Sequence, residues 1–255
     1  MTCLNQQFSN KNSVTTPLKR IARSAIAPAF LTVLTLSMGI SSDIANANPL
    51  DHKRANSKPF GQNPNKTLAD IRRATFPFID VKNAIDAGYV STVDLGAGCV
   101  SAESEGEPSQ LGAMGIHFVN LAELGSPDFD FHTPSVLVYA PDPHVENCSY
   151  STAELMADDN DCTKSLRLVA VEELIFADLW EASIDKPHWQ QPPEFLGNQF
   201  YYIHDNPDTD WVDEAHGFPP HYELHIWLYD RNVAGLYSPW NPALSCPTHM
   251  QGHAH

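Results

Sequence analysis

Residues 219 to 230 read PPHYELHIWLYD and set His221, Glu223 and His225 at alternate positions, with Tyr222, Leu224, Ile226 and Leu228 between and after them. Imidazoles and carboxylates are ligands for divalent transition metals, and a His–Glu pair can also exchange protons as a general acid and base. An extended strand rises about 3.3 Å per residue, so neighbours two apart sit about 6.6 Å from each other and can converge on one ion. His221 and His225 are about 13 Å apart on that geometry, too far to share an ion comfortably. The stretch therefore offers Glu223 with one histidine, or one histidine alone, and other strands must complete a site. His117 in MGIHFVN and Glu172 in LVAVEE are the donors to expect, each a polar residue inside an apolar run. Burying such a group without a partner costs several kcal/mol if it is charged, so each needs an explanation.

Two or three imidazoles with a carboxylate and an open position suit Zn, Cu, Mn or Fe, or a small ligand. The ordinary structural account stands beside this one. His221, Glu223 and His225 would then form the solvated face of a half-buried strand, Glu172 would hydrogen-bond a histidine across the sheet, and His117 would be a satisfied core histidine. A helix would bring His221 and His225 onto one ion at i and i+4, and Pro220 in a first turn would permit it. The Tyr, Ile and Trp content favours a strand.

The elements that would position these residues are mostly strands. GIHFV (115–119), SVLVYA (135–140), LRLVAVEELIF (166–176), QFYYI (199–203) and HYELHIWLYD (221–230) are rich in β-branched and aromatic residues and bounded by turn formers. Ahead of them, Thr67 can cap a helix through Thr75, and a second helix after Pro77 takes Ile79, Val81, Ala84, Ile85 and Ala87 on one face, ending near Gly88. Twenty prolines argue against a helical bundle. The expected fold is α+β and mainly β: an N-terminal helical segment, then an antiparallel or mixed sheet curled as a sandwich or small barrel.

The N-terminus reads as a secretory signal peptide over 1–47, with a basic region, an apolar core from Ala25 to Ile40, and Ala45-Asn46-Ala47 as the cleavage site. Residues 48–66 follow as a flexible polar leader, 67–246 as a single β-rich domain, and 247–255 as a histidine-containing tail. The apolar core is shorter than the roughly 20 residues a membrane helix needs, so no membrane insertion is expected once it is cleaved. Its removal takes Lys11, Lys19, Arg20 and Arg23 against the single acid Asp43, leaving 11 basic and 30 acidic residues and a net charge of −19. Such a surface repels nucleic acid and anionic lipid and leaves cations, basic proteins and neutral ligands as partners.

Cys3 leaves with the signal peptide, and Cys99, Cys148, Cys162 and Cys246 remain, an even set that reads as two disulfides in an oxidising compartment. The short polar loop between Cys148 and Cys162 favours that pair, which leaves Cys99 for Cys246. A thiolate metal site is disfavoured by the lack of any C-x-x-C.

LGAMGIHFVN, PSVLVYAPD, LRLVAVEELIF, PPEFLGNQF and HYELHIWLYDRNVAGLYSPWNPALSC, with DIRRATFPFIDVKNAIDAGYV before them, together resemble a family of exported bacterial proteins of unknown function. The resemblance runs from about residue 67 to Cys246. The chain departs from the family at Glu173, where an aromatic is usual, and at Val233, where proline is usual. The resemblance implies export and a single domain, and it implies no activity.

The remaining motifs are weaker. His249, His253 and His255 in the tail can scavenge metals loosely. Glu103, Glu105 and Glu107 lie in a Gly, Pro and Ser-rich loop, and MADDNDC lacks the spacing of a calcium loop. Pro187, Pro192 and Pro193 stiffen a loop around His188 and Trp189, and SPWNPALSC reads as a turn fixed by Cys246. There is no G-x-S-x-G, H-E-x-x-H, phosphate loop or dinucleotide fingerprint. The competing function is a non-catalytic extracellular module that recognises protein or glycan through Trp180, Trp189, Tyr201 and Tyr202.

Overall fold

The computed structural model describes residues 63–157, 161–184, 191–204 and 218–250. The segment expected to be a signal peptide, most of the expected leader, Pro187, His188 and Trp189, and His253 and His255 lie outside the described residues.

The first helix, α1, spans Pro64–Thr75, three residues earlier than Thr67 would start it. Asn63 is the cap, its side chain accepting from the Asn65 backbone N–H, and Pro64 takes the first turn, where its missing N–H costs nothing. A 3-10 turn, Phe76–Ile79, leads into α2, Val81–Asp86, which Asp80 caps through the Lys82 N–H. The Tyr139 hydroxyl donates to the Phe78 carbonyl, which ties this helical layer to one face of the sheet. Arg72 donates to the Leu228 carbonyl and lies over the Tyr229 ring, which ties α1 to the chain leaving the last strand.

The sheet is built from β1 (Tyr89–Ser91), β2 (Val100–Ser101), β3 (Ala113–Asn120), β4 (Val136–Pro141), β5 (Leu166–Phe176), β8 (Tyr201–Ile203) and β9 (His221–Ile226). Its order is β1-β3-β4-β5-β9-β8, with β2 also on β3, and every pairing between these strands is antiparallel. It is an open sheet with β8 at one edge, not a closed barrel. A separate two-stranded hairpin joins β6 (Glu194–Phe195) to β7 (Asn198–Gln199). The long runs 113–120, 136–141 and 166–176 are almost wholly buried, which explains why they read as continuous apolar stretches rather than as alternating ones. The last strand is shorter than its sequence pattern, because after Ile226 the Trp227 N–H turns to the Leu236 carbonyl. Two further short α-helices are α3 (Thr152–Leu155) and α4 (Ala177–Ile184), with short 3-10 turns elsewhere; α4 follows β5 without a break.

Cys99 is bonded to Cys246 and Cys148 to Cys162, so the expected pairing is the one present. The first bridge holds the C-terminal segment against the start of the sheet. Asn241 is fully buried and pairs with Ala113 at the head of β3, and its side-chain oxygen accepts from the Ala243 N–H, the fixed turn expected before Cys246. His249 does not hang in a free tail: its Nε2 donates to the Cys148 carbonyl at 3.0 Å, and Met250 beside it is buried. Among the described residues no helix is long and apolar enough to cross a membrane.

Candidate metal centre

The sheet has two faces of different chemistry. Residues directly opposite in antiparallel strands point the same way, and successive residues point opposite ways. The register pairs Glu172 with His225, Leu174 with Glu223 and Phe176 with His221. One face therefore carries Glu172, His225, Glu223 and His221, while Val171, Glu173 and Ile175 share the other with Ile226, Leu224 and Tyr222. On β3, His117 lies opposite Val138, and Val136, two residues along β4, lies opposite Glu172. His117 and Glu172 are thus two strands apart, about 9–10 Å across the sheet and offset by two residues along it, and their side chains meet across the small valines of β4. Gly115 allows the close packing of β3 on β4 beside His117: its φ is 126°, and a Cβ there would lie 2.5 Å from the Tyr139 carbonyl oxygen.

The result is a group of three. His117 Nε2 lies 3.3 Å from Glu172 Oε2, and His225 Nε2 lies 3.3 Å from the same oxygen. One donor atom from each of His117, Glu172 and His225 falls within 4.8 Å of the others. Ligands at about 2.0–2.2 Å from a tetrahedral zinc ion sit about 3.3–3.5 Å from one another, so both imidazole–carboxylate spacings match two edges of such a shell. The side chains are sealed, at 7% exposure for His117, 1% for Glu172 and 0% for His225. Neither ring nitrogen of His225 makes a hydrogen bond within the described residues, although both face carboxylates.

The other two expected residues form a second pair. His221 Nε2 is 3.6 Å from Glu223 Oε2, and Glu223 Oε1 is 3.9 Å from Nδ1 of His225. Imidazoles and carboxylates thus alternate along the face in the order His117, Glu172, His225, Glu223, His221. The five sequence candidates divide three and two because the register of β5 on β9, not the spacing along β9, sets His225 against Glu172.

Burial decides against part of the structural account. His221, Glu223 and His225 are fully buried, so this face is not a solvated one, and the helical alternative for the stretch is excluded by the strand. The covering residues were not legible as a site. Trp227 stacks on His225 with ring centres 6.0 Å apart, and Phe218 meets His221 edge-on at 6.1 Å. The Trp227 indole N–H donates to the Ser238 carbonyl, and Asn241 pairs with Ala113, so the segment between them crosses from the end of β9 to the start of β3, the two strands that supply the imidazoles.

Glu173, next in sequence to the candidate ligand, lies on the opposite face and is a structural group. Its carboxylate accepts from the Asp130 N–H at 3.1 Å and the Ser135 N–H at 3.3 Å, which fastens the β3–β4 connection to β5. Burial pushes its carboxyl up to about 8, against the opposing pull of those hydrogen bonds. Of the aromatics expected for a binding module, Tyr201 and Tyr202 are exposed on the edge strand, whereas Trp180 is only partly exposed and donates its indole N–H to the Gln191 carbonyl.

No family model, curated protein or solved structure matches this chain.

Proposed function

We propose that this is an exported protein that holds one divalent transition ion, of the Zn, Cu, Mn or Fe class, on His117, Glu172 and His225. The observation that carries the reading is the placement of two imidazole Nε2 atoms at 3.3 Å from a single carboxylate oxygen in the protein interior, with His225 making no hydrogen bond among the described residues. The donor set fits such an ion: two neutral nitrogens and one anionic oxygen leave at least one position open, as in sites that bind a water or a small ligand. When bound, the ion would act as a Lewis acid toward that ligand. The chain's own contribution is a dry, rigid site. All three side chains are buried, His117 being the least covered of them. The two disulfides suit an oxidising compartment outside the cytosol and support export.

A second, metal-free reading has its own observation. His225 has a carboxylate on each side, Glu172 at 3.3 Å and Glu223 at 3.9 Å, so an imidazolium there would form a buried Glu–His–Glu triad. That arrangement needs no ion and would make the cluster a structural or proton-exchanging group. The binding-module reading rests on Tyr201 and Tyr202 at the exposed sheet edge.

Elemental analysis separates these. The full-length exported protein is prepared untagged with His253→Ala and His255→Ala, so that tail imidazoles add no loosely held metal. Retention of about one equivalent of a transition metal is the expected result. Protein that is metal-free as purified and takes up none of Zn, Cu(II), Mn(II) or Fe(II) after reloading would overturn the proposal in favour of the triad.

A further inference from the structure

We infer that the same buried face carries a second cation subsite, formed by His221 Nε2 and the Glu223 carboxylate, for a divalent transition metal. It uses donors that the first centre does not, and rests on that reading only in sharing its face and its metal class.

The argument begins with the tautomer of His221. Its Nδ1 lies 2.8 Å from the Pro219 carbonyl oxygen. A carbonyl can only accept, so Nδ1 carries the proton and donates, and in the neutral ring Nε2 presents its lone pair. Histidines that ligate metals are held this way, with the second ring nitrogen donating to a backbone carbonyl to fix the ring and sharpen the basicity of the ligating one.

That lone pair points at a carboxylate. His221 Nε2 is 3.6 Å from Glu223 Oε2, both side chains have no exposure to solvent, and Nε2 makes no hydrogen bond within the described residues. Two electron-rich atoms that face each other in a low-dielectric interior repel, and a cation between them relieves the repulsion. The 3.6 Å spacing is close to the edge of a ligand shell with bonds of about 2.0–2.2 Å. The alternative, a direct hydrogen bond between a protonated Nε2 and Oε2, would call for about 2.7–2.9 Å.

Only two side chains supply this subsite among the described residues, against three at the first. It should therefore bind more weakly and exchange faster, with its remaining positions taken by water or by oxygen of a small ligand. Glu223 Oε1, turned toward His225 Nδ1, places the two subsites on either side of one imidazole.

Zinc titration by isothermal calorimetry of the full-length His253→Ala, His255→Ala protein, stripped by chelator beforehand, tests this. The expected wild-type result is two equivalents of separable affinity. His221→Ala should remove the weaker equivalent and leave the tighter, and His117→Ala should weaken the tighter while the weaker persists. One equivalent in the wild-type protein would overturn the second subsite and leave the first; none would overturn both. Two equivalents of unchanged affinity in His221→Ala would also overturn it. Should His221→Ala fail to fold, sequential Co(II) addition to the wild-type protein decides the matter: a second, weaker visible-absorption component after the first equivalent is expected, and saturation at one equivalent is contrary.

Discussion

Glu172→Ala protein, purified after export, should contain metal at background level, with affinity for added zinc more than about 100-fold below wild type. Glu172 Oε2 is the atom that both His117 and His225 approach, so its removal takes away the only anionic ligand and separates the two imidazoles. Loss of groups that merely orient metal ligands costs about 10–100-fold in affinity, and loss of a ligand itself should exceed that. Competition against a chromophoric chelator measures it, and circular dichroism of the stripped proteins checks that the variant is folded. Unchanged zinc affinity in a folded Glu172→Ala protein would remove Glu172 as a ligand.

The adjacent glutamate should behave in the opposite way, through stability and not through metal. The Glu173 carboxyl has its folded-state value raised to about 8, chiefly by burial, from an ordinary value near 4.5. Between those two pH values the folded protein holds a proton at Glu173 that the unfolded chain has released. Stability from this group is therefore fully present below about pH 4.5 and is lost as the pH rises toward about 8. At about 1.4 kcal/mol per pH unit of separation, the loss is on the order of 5 kcal/mol. Urea unfolding of chelator-stripped protein from pH 5 to pH 9 should show the decline, and Glu173→Gln should flatten it by most of that amount while leaving zinc affinity within a few-fold of wild type. A variant whose pH profile runs parallel to wild type would show that the Asp130 and Ser135 N–H groups hold Glu173 ionised at neutral pH.

The contrast between these two neighbours shows what was legible in the sequence. The apolar runs of β3, β4 and β5 and the start of β9 could be read directly, because fully buried strands need continuous β-branched and aromatic residues. His117 and Glu172 stood out for the same reason, as polar residues that interrupt such runs. The disulfides followed from loop length. Register was not legible: nothing local to HYELHIW says that His225 faces Glu172 while His221 faces only Glu223, since that depends on how β9 slides along β5. The alternation of β9 therefore fits a solvated polar face on a half-buried strand as well as it fits a buried cluster. Two aromatics lie on that face, Trp227 against His225 and Phe218 against His221, and the Trp227 indole is held by the Ser238 carbonyl, contacts that no local pattern announces.

Other differences have equally local causes. The expected leader, 48–66, overlaps the start of α1, where Pro64 is well suited to a first helical turn behind Asn63. Helix α4 has no boundary signal in the sequence, because it continues from β5 with no glycine or proline to mark the change. The Glu173 position carried a usable signal: two consecutive glutamates on a strand must point to opposite faces, so only one could belong to the cluster.

Anomalous diffraction from crystals of the untagged exported protein, with data collected above and below the absorption edge of the metal found by elemental analysis, tests the central claim most directly. The account predicts a peak about 2.0–2.2 Å from His117 Nε2, Glu172 Oε2 and His225 Nε2 together. No peak at that position in zinc-soaked crystals, with His225 hydrogen-bonded to Glu172 and Glu223 on its two sides, would contradict it.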